Sequence, residues 1–219
     1  ALTLYVVWKG IEELKGNLFA LVLGAICVLF SCLLRLNMLY QPNSFDVLSW
    51  TILYFILLKY INTENAKWLF IGAVFFALGF LNKYNIAFLF IGLVPALLLS
   101  KQRKIFLNPK LYYAVLLGLI LILPNLVWQY NNDFPVVHHL NELAETQLVN
   151  VDRLAFLKSQ LLFFIGSLIV ILTSFYALLF YRPFKNYRLF FFSICFTLIA
   201  FIYFKAKDYY AIGIYPIHI

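Results

Sequence analysis

Three cations lie in or beside long apolar runs, and each could bind an anion. Lys83 interrupts WLFIGAVFFALGFLNKYNIAFLFIGLVPALLLS, residues 68–100, which carries no other charge. Arg35 lies near the end of the apolar run 17–38, and Lys207 follows the run 189–204 in FKAKDYYAIGIYP. A charge in such a place is expensive in a bilayer and marks either a helix end or a site. Two of the three have tyrosine neighbours: Tyr84 beside Lys83, and Tyr209 and Tyr210 beside Lys207. Asp46 opens the run VLSWTILYFILL after YQPNSF. Its plain reading is a helix N-cap, where a carboxylate meets free backbone N–H groups and the positive end of the helix dipole. The plain reading of the lysines is that they snorkel to an interface. Taken together, cations and phenols at similar depth suit the phosphate of a lipid. Residue spacing leaves open whether that lipid is flipped, transported or consumed.

The elements that must hold these residues are membrane helices. Hydrophobic residues make up 64 % of the 219 and charged residues 12 %, against about 45–50 % and about 25 % in soluble domains. Several runs reach the roughly 17–25 apolar residues that span a bilayer. Aromatics reach 20 %, with Trp and Tyr near run ends, as in interfacial belts. The segmentation gives a partial pass at 1–8, passes at 17–38, 47–61, 67–82, 85–100, 111–128, 158–181 and 189–204, and a further one starting near 211. The expectation is an all-α, polytopic integral membrane protein forming one transmembrane domain over 1–219, with both ends continuing into a longer chain. No cleavable signal peptide is recognisable in ALTLYVVW.

Charge sets the orientation. The loops KGIEELKG, KYINTENAK, KQRKIFLNPK and YRPFKNYR hold eleven Lys or Arg against three Glu, whereas the opposite side holds six of each sign. The positive-inside rule places the first side in the cytoplasm. The other then faces a periplasm or exterior, as in a bacterial inner membrane. This works only if 68–100 folds back on itself: one helix of that length would span about 50 Å, against a hydrocarbon core of about 30 Å. The polar cluster Asn82-Lys83-Tyr84-Asn85 is where it turns, near the outer face.

The largest outer segment, 129–157, includes an amphipathic helix expected over 138–157, with Leu140, Leu143, Leu148, Val151, Leu154 and Leu157 on one face. Asn131, Asn132 and Asp133 before Phe134-Pro135 read as a turn. The pair His138-His139 is a poor metal site, because adjacent helical side chains point about 100° apart. No metal ligand set is read anywhere, and a divalent metal requirement is not specified. Cys27, Cys32 and Cys195 sit in apolar runs and behave as small hydrophobes. The net charge of +8 is spread over short loops, which argues against a nucleic-acid partner. No phosphate-binding glycine loop is present, so a nucleotide sugar is not the direct donor.

Four segments resemble glycosyltransferase family 39, which includes dolichyl-phosphate-mannose protein mannosyltransferases and bacterial aminoarabinose transferases. GFLNKYNIAF resembles its G-x-x-x-L-x-K-Y segment. LPNLVWQYNNDFPVVHHL resembles P-x-x-x-W-x-x-x-x-x-x-P-x-x-x-H, and FKAKDYYAIGIYPI resembles K-x-Y-Y-x-x-x-x-Y-P. QPNSFDVLSWTILYFIL is similar to the part where an Asp opens a helix after an outer loop. They occur in the family's order from about residue 17 onward, with a likeness to bacterial rather than eukaryotic members. The resemblance implies a GT-C-type helix bundle. It implies a polyprenyl-phosphate sugar as donor substrate and a protein, lipid or glycan acceptor at the outer face. Residue by residue, it implies that Lys83 contacts the donor phosphate and that Tyr84 lines the same cavity. Lys207, Tyr209 and Tyr210 approach from another side, and Asp46 shapes the site. The family's catalytic acidic pair lies in a first outer loop, which is expected upstream of Ala1, so no catalytic residue is assigned here. A transporter or flippase of a lipid-linked anion is the alternative. It would want internal repeats or broken helices at midplane. No repeat is found, and the polar residues crowd to one face.

Overall fold

Apolar runs bounded by capping residues become helices, and the chain forms no strand. The computed structural model describes all residues, Ala1–Ile219. Eleven α-helices follow in order: α1 Leu2–Glu13, α2 Leu18–Leu29, α3 Leu33–Leu36, α4 Asn43–Thr63, α5 Lys67–Asn82, α6 Phe88–Leu98, α7 Pro109–Asn131, α8 Pro135–Thr146, α9 Arg153–Phe163, α10 Leu168–Phe180 and α11 Arg188–Tyr203. Short 3-10 turns join several of them, and two more, Asp208–Ile214 and Pro216–His218, follow α11. Local chemistry sets the starts. Asn17 accepts from the Ala20 N–H at 3.0 Å. Asn108 accepts from the Lys110 N–H at 3.0 Å, with Pro109 pre-set for the first helical position. The helices α4 and α7 and the segment Arg182–Tyr203 are long and apolar enough to cross a membrane. The protein is thus an all-α membrane protein.

The helix α4 is the centre of the bundle. It packs on α1, α5 and the turn 208–214, and its Trp50, Tyr54 and Leu58 are fully buried. The Tyr54 hydroxyl shares a 2.9 Å hydrogen bond with Ser193 of α11, since a buried phenol needs a partner. The helix α6 packs along α11. Gly92 makes it possible: a Cβ there would lie 1.9 Å from Thr197 Oγ1 and 2.6 Å from the Ser193 carbonyl.

The four basic loops gather at one end. Glu13 accepts from Lys59 at 2.6 Å and from Asn62 at 2.9 Å. Tyr187 donates to Asn62 at 2.6 Å, and Gln102 donates to the Asn186 carbonyl at 3.3 Å. The turn at Lys83, the start of α4, the end of α7 and the turn 208–214 meet at the other end.

The runs 47–61, 67–82, 85–100, 111–128 and 189–204 coincide with α4, α5, α6, α7 and α11, within a few residues. Other segments differ from expectation. The run 17–38 breaks after Leu29, where Ser31 donates to the Val28 carbonyl at 2.7 Å. The run 158–181 bends by 61° between α9 and the stretch Ile165–Phe180. The two breaks face each other: the Cys32 N–H donates to the Phe163 carbonyl at 2.9 Å, and Ser167 donates to the Cys27 carbonyl at 2.8 Å. The stretch from 211 is not one long helix but 3-10 turns wedged against α4; a Cβ on Gly213 would lie 2.6 Å from Trp50 Cγ. The outer amphipathic helix begins earlier and ends sooner than 138–157. Pro135 starts it, and Asp152 ends its continuation by capping α9, accepting from the Leu154 N–H at 3.0 Å.

Candidate anion-binding site at the Lys83 turn

The chain leaves α5 through Lys83, whose backbone is extended (φ −160°, ψ 124°), and enters a 3-10 turn, Tyr84–Ala87, before α6. That turn is pinned to the start of α4. Asn82 donates to the Pro42 carbonyl at 3.1 Å. The Lys83 ammonium donates to Asn43 Oδ1 at 2.8 Å and lies 3.7 Å from Asp46 Oδ2. Asp46 is nearly buried, its side chain 4 % exposed, while that of Lys83 is 19 % exposed. Two further donors hold the carboxylate. Trp50 Nε1 reaches Oδ1 at 3.1 Å and Asn85 Nδ2 reaches Oδ2 at 2.9 Å. Asn85 Nδ2 also donates to the Tyr210 carbonyl at 3.1 Å, tying the turn 208–214 to the same node.

Asp46 is therefore not the N-cap. Pro42 occupies that position and the helix starts at Asn43, so Asp46 falls within the first turn. Its carboxylate accepts from side chains instead of backbone.

Above the ammonium lie two phenol rings. Lys83 Nζ is 4.4 Å from the Tyr210 ring centroid and 5.1 Å from that of Tyr209. These are cation–π distances. The two rings meet edge to face at 4.9 Å. Burial pushes the Tyr209 phenol up to about 12, helped by its Tyr210 neighbour, so it stands as a neutral hydrogen-bond donor near neutral pH. Lys207 Nζ lies 6.0 Å from the Tyr209 ring and donates to Gln147. An ammonium has three N–H donors. Lys83 spends one on Asn43 and points a second at Asp46, which leaves one for a ligand.

The structure thus brings together Lys83, Asp46, Tyr209 and Tyr210, with Lys207 at the edge. Tyr84 turns elsewhere: its hydroxyl donates to Asn125 at 2.9 Å and accepts from Gln129 at 2.8 Å. Gln129 Oε1 in turn accepts from the Val136 N–H at 3.2 Å, so this second node fastens α8 to the Lys83 turn. Arg35 is exposed, and its side chain makes no ion pair or hydrogen bond. Sequence reading assigns Asn43 and Trp50 no part in the site, and Asn85 only a place in the turn. Trp50 was findable by its i, i+4 spacing from Asp46, and Asn85 as a polar residue inside an apolar run. No three His, Cys, Asp or Glu side chains converge, and His138 and His139 are exposed.

The fold is a helical membrane bundle, and one end of it holds a lysine between a carboxylate and two tyrosine rings. Residues 1–128 match the model of the family described as dolichyl-phosphate-mannose-protein mannosyltransferase. That is more than half of the chain, and the chain belongs to this family of membrane glycosyltransferases. The match includes Asp46, Lys83 and Tyr84; Lys207, Tyr209 and Tyr210 lie beyond it. No curated protein and no solved structure matches the chain.

Proposed function

We propose that the Lys83 turn binds the phosphate of a polyprenyl-phosphate sugar, and that the sugar passes to a protein, lipid or glycan acceptor at this end of the bundle. The observation that carries the reading is the Lys83 ammonium. It is fixed by Asn43 and Asp46 beneath two phenols, with one donor left over. In this proposal the acceptor hydroxyl attacks the anomeric carbon and the bond from that carbon to the phosphate oxygen breaks. The polyprenyl phosphate leaves with the bonding pair. Lys83, with Lys207 nearby, stabilises the negative charge that develops on its oxygens. Tyr209 donates a neutral hydrogen bond to the same group. Asn85 Oδ1, buried without a partner, is an acceptor that a sugar hydroxyl would satisfy. The proton from the acceptor goes to a carboxylate base. Asp46, held by three donors, positions Lys83 and is not that base. Because the basic loops gather at the opposite end, this end faces the periplasm or exterior. The sugar is mannose-like or another hexose or pentose.

The test is binding and transfer in the full-length protein with a photoreactive polyprenyl phosphate and a matching polyprenyl-phosphate sugar. Lys83→Ala should lower labelling and transfer by roughly 10- to 100-fold, the size of one hydrogen bond to a charged group. Unchanged labelling and transfer in a folded Lys83→Ala protein would remove this lysine from the site. Movement of the lipid across vesicles without transfer would favour a flippase.

A further inference from the structure

Away from the Lys83 turn, the two helices that meet there part. The helix α5 packs on α4 and α7, and α6 packs on α11, so a wedge opens between them. It holds an apolar cavity of about 440 Å³, with 19 of its 21 lining residues hydrophobic. Among them are Leu57, Tyr60, Trp68, Phe76, Leu93 and Val115. These come mainly from the end of α4, the start of α5 and the start of α7, which places the cavity in the half of the bundle nearer the basic loops. The volume lies within the roughly 300–1,000 Å³ of ligand sites. Along α7 the lining runs from Leu111 to Leu119, about 12 Å at 1.5 Å per residue. A slot of this shape and polarity takes a hydrocarbon chain and no polar metabolite.

Its mouth has a different character. Trp68 Nε1 is buried and has no acceptor, an unmet donor in an otherwise apolar wall. Two ammonium groups lie over the same indole, Lys59 at 5.4 Å and Lys67 at 5.2 Å. Lys59 is neutralised by Glu13 at 2.6 Å. Lys67 has no carboxylate partner, nor do the exposed Lys101 and Lys104 on the neighbouring segment that contributes Ile105 and Phe106 to the wall, nor Lys110 at the start of α7. An apolar slot, an unmet N–H donor among its lining residues and unpaired cations on the adjoining segments are the partners that the acyl chain, ester carbonyl and phosphate of a glycerophospholipid need.

We propose that this cavity is a binding site for an anionic phospholipid of the leaflet on the basic side. One acyl chain fills the wedge between α4, α5, α6 and α7. An ester carbonyl accepts from Trp68 Nε1, and the phosphate lies among Lys67, Lys104 and Lys110. The site is separate from the Lys83 turn and does not depend on the reading given to it.

Native mass spectrometry of the purified full chain, titrated with phosphatidylglycerol or phosphatidylcholine, tests this. Phosphatidylglycerol should be retained roughly 30-fold better, which is what two lysines near an anionic head group supply at about 1 kcal/mol each. Lys67→Gln with Lys110→Gln should erase the preference. Gly72→Leu, which pushes a side chain into the wedge, should abolish retention of a bound lipid. Gly72→Ala should not, because its Cβ finds only Ile56 Cγ2 at 3.5 Å. Equal retention of the two lipids, or retention unchanged by Gly72→Leu, overturns the proposal. So does one-for-one displacement by polyprenyl phosphate, which would give the slot to a polyprenyl tail. The lysine variants are exposed substitutions and keep the test decisive even if Gly72→Leu fails to fold.

Discussion

Replacing Asp46 with Ala removes the acceptor on which three elements converge. Trp50, fully buried, loses its only partner and becomes an orphaned donor, at about 1–3 kcal/mol. Asn85 keeps the Tyr210 carbonyl and Lys83 keeps Asn43, so neither is stripped bare. Removing one side of a fully buried ion pair costs about 3–5 kcal/mol, but the Lys83 side chain is 19 % exposed and recovers part of that from solvent. The net expectation for Asp46→Ala is a loss of about 3–4 kcal/mol. At about 2–4 °C per kcal/mol for a chain of this size, the apparent Tm should fall by roughly 10 °C. The isosteric Asp46→Asn is informative because it keeps the shape. Its amide nitrogen must face either Trp50 Nε1 or Asn85 Nδ2, both donors, so it too should destabilise, by about 1–2 kcal/mol for one mismatched contact. The assay is thermal unfolding of the detergent-solubilised full-length protein, with Lys83→Met added to complete a double-mutant cycle. An Asp46→Ala protein melting within about 2 °C of the parent would refute the reasoning. So would strict additivity with Lys83→Met, since the two groups would then not feel each other.

Gly92→Ala should separate α6 from α11 and greatly reduce folded yield. Thr197→Ala should not rescue it, because the Ser193 carbonyl would still lie 2.6 Å from the new Cβ. Gln129→Leu removes the acceptor for the Val136 N–H and the donor to Tyr84; hydrogen exchange should rise through Pro135–Thr146, with global stability down by about 1–3 kcal/mol. Ser193→Ala leaves the buried Tyr54 hydroxyl without its 2.9 Å partner and should cost about 1–3 kcal/mol, with Ser193→Thr as the partial rescue in the same melting assay. Gly213→Ala must displace the Trp50 ring, 2.6 Å from the new Cβ, and so should lower both Tm and polyprenyl-phosphate labelling, whereas an effect on Tm alone would uncouple Trp50 from the site.

The site was half legible in the sequence. Lys83 stood out because nothing else charged shares its run, and Asp46, Tyr209 and Tyr210 because each lies where an apolar run meets a polar loop. Their convergence was not legible, because it depends on which helix ends share a face, and no local pattern carries that. Tyr84 shows the limit of adjacency. On a turn between two helices, neighbouring side chains point apart, and one residue's step sends Tyr84 to α7 while Lys83 meets α4. Arg35 was placed at the end of a continuous helix. The helix stops at Leu29 instead, because Ser31 takes the Val28 carbonyl, and Arg35 ends on the surface. The long helices followed from hydropathy and charge alone. The breaks at 30–32 and 164–167 did not, because the bonds that join them, from the Cys32 N–H to the Phe163 carbonyl and from the Ser167 hydroxyl to the Cys27 carbonyl, link residues far apart in sequence.

That reciprocity governs how the protein can change. At the facing breaks, Cys32 and Ser167 each complete their hydrogen bonding on a carbonyl of the opposite strand of chain, and the Phe30 carbonyl comes within 3.1 Å of where a Cβ on Gly166 would sit. Straightening either segment into a regular helix would strand a donor in the other. The two irregularities are therefore inherited as one unit: a lineage that loses the first must lose the second in the same step or carry an unpaired polar group in lipid, and a designer who grafts one helix without its mate imports a defect.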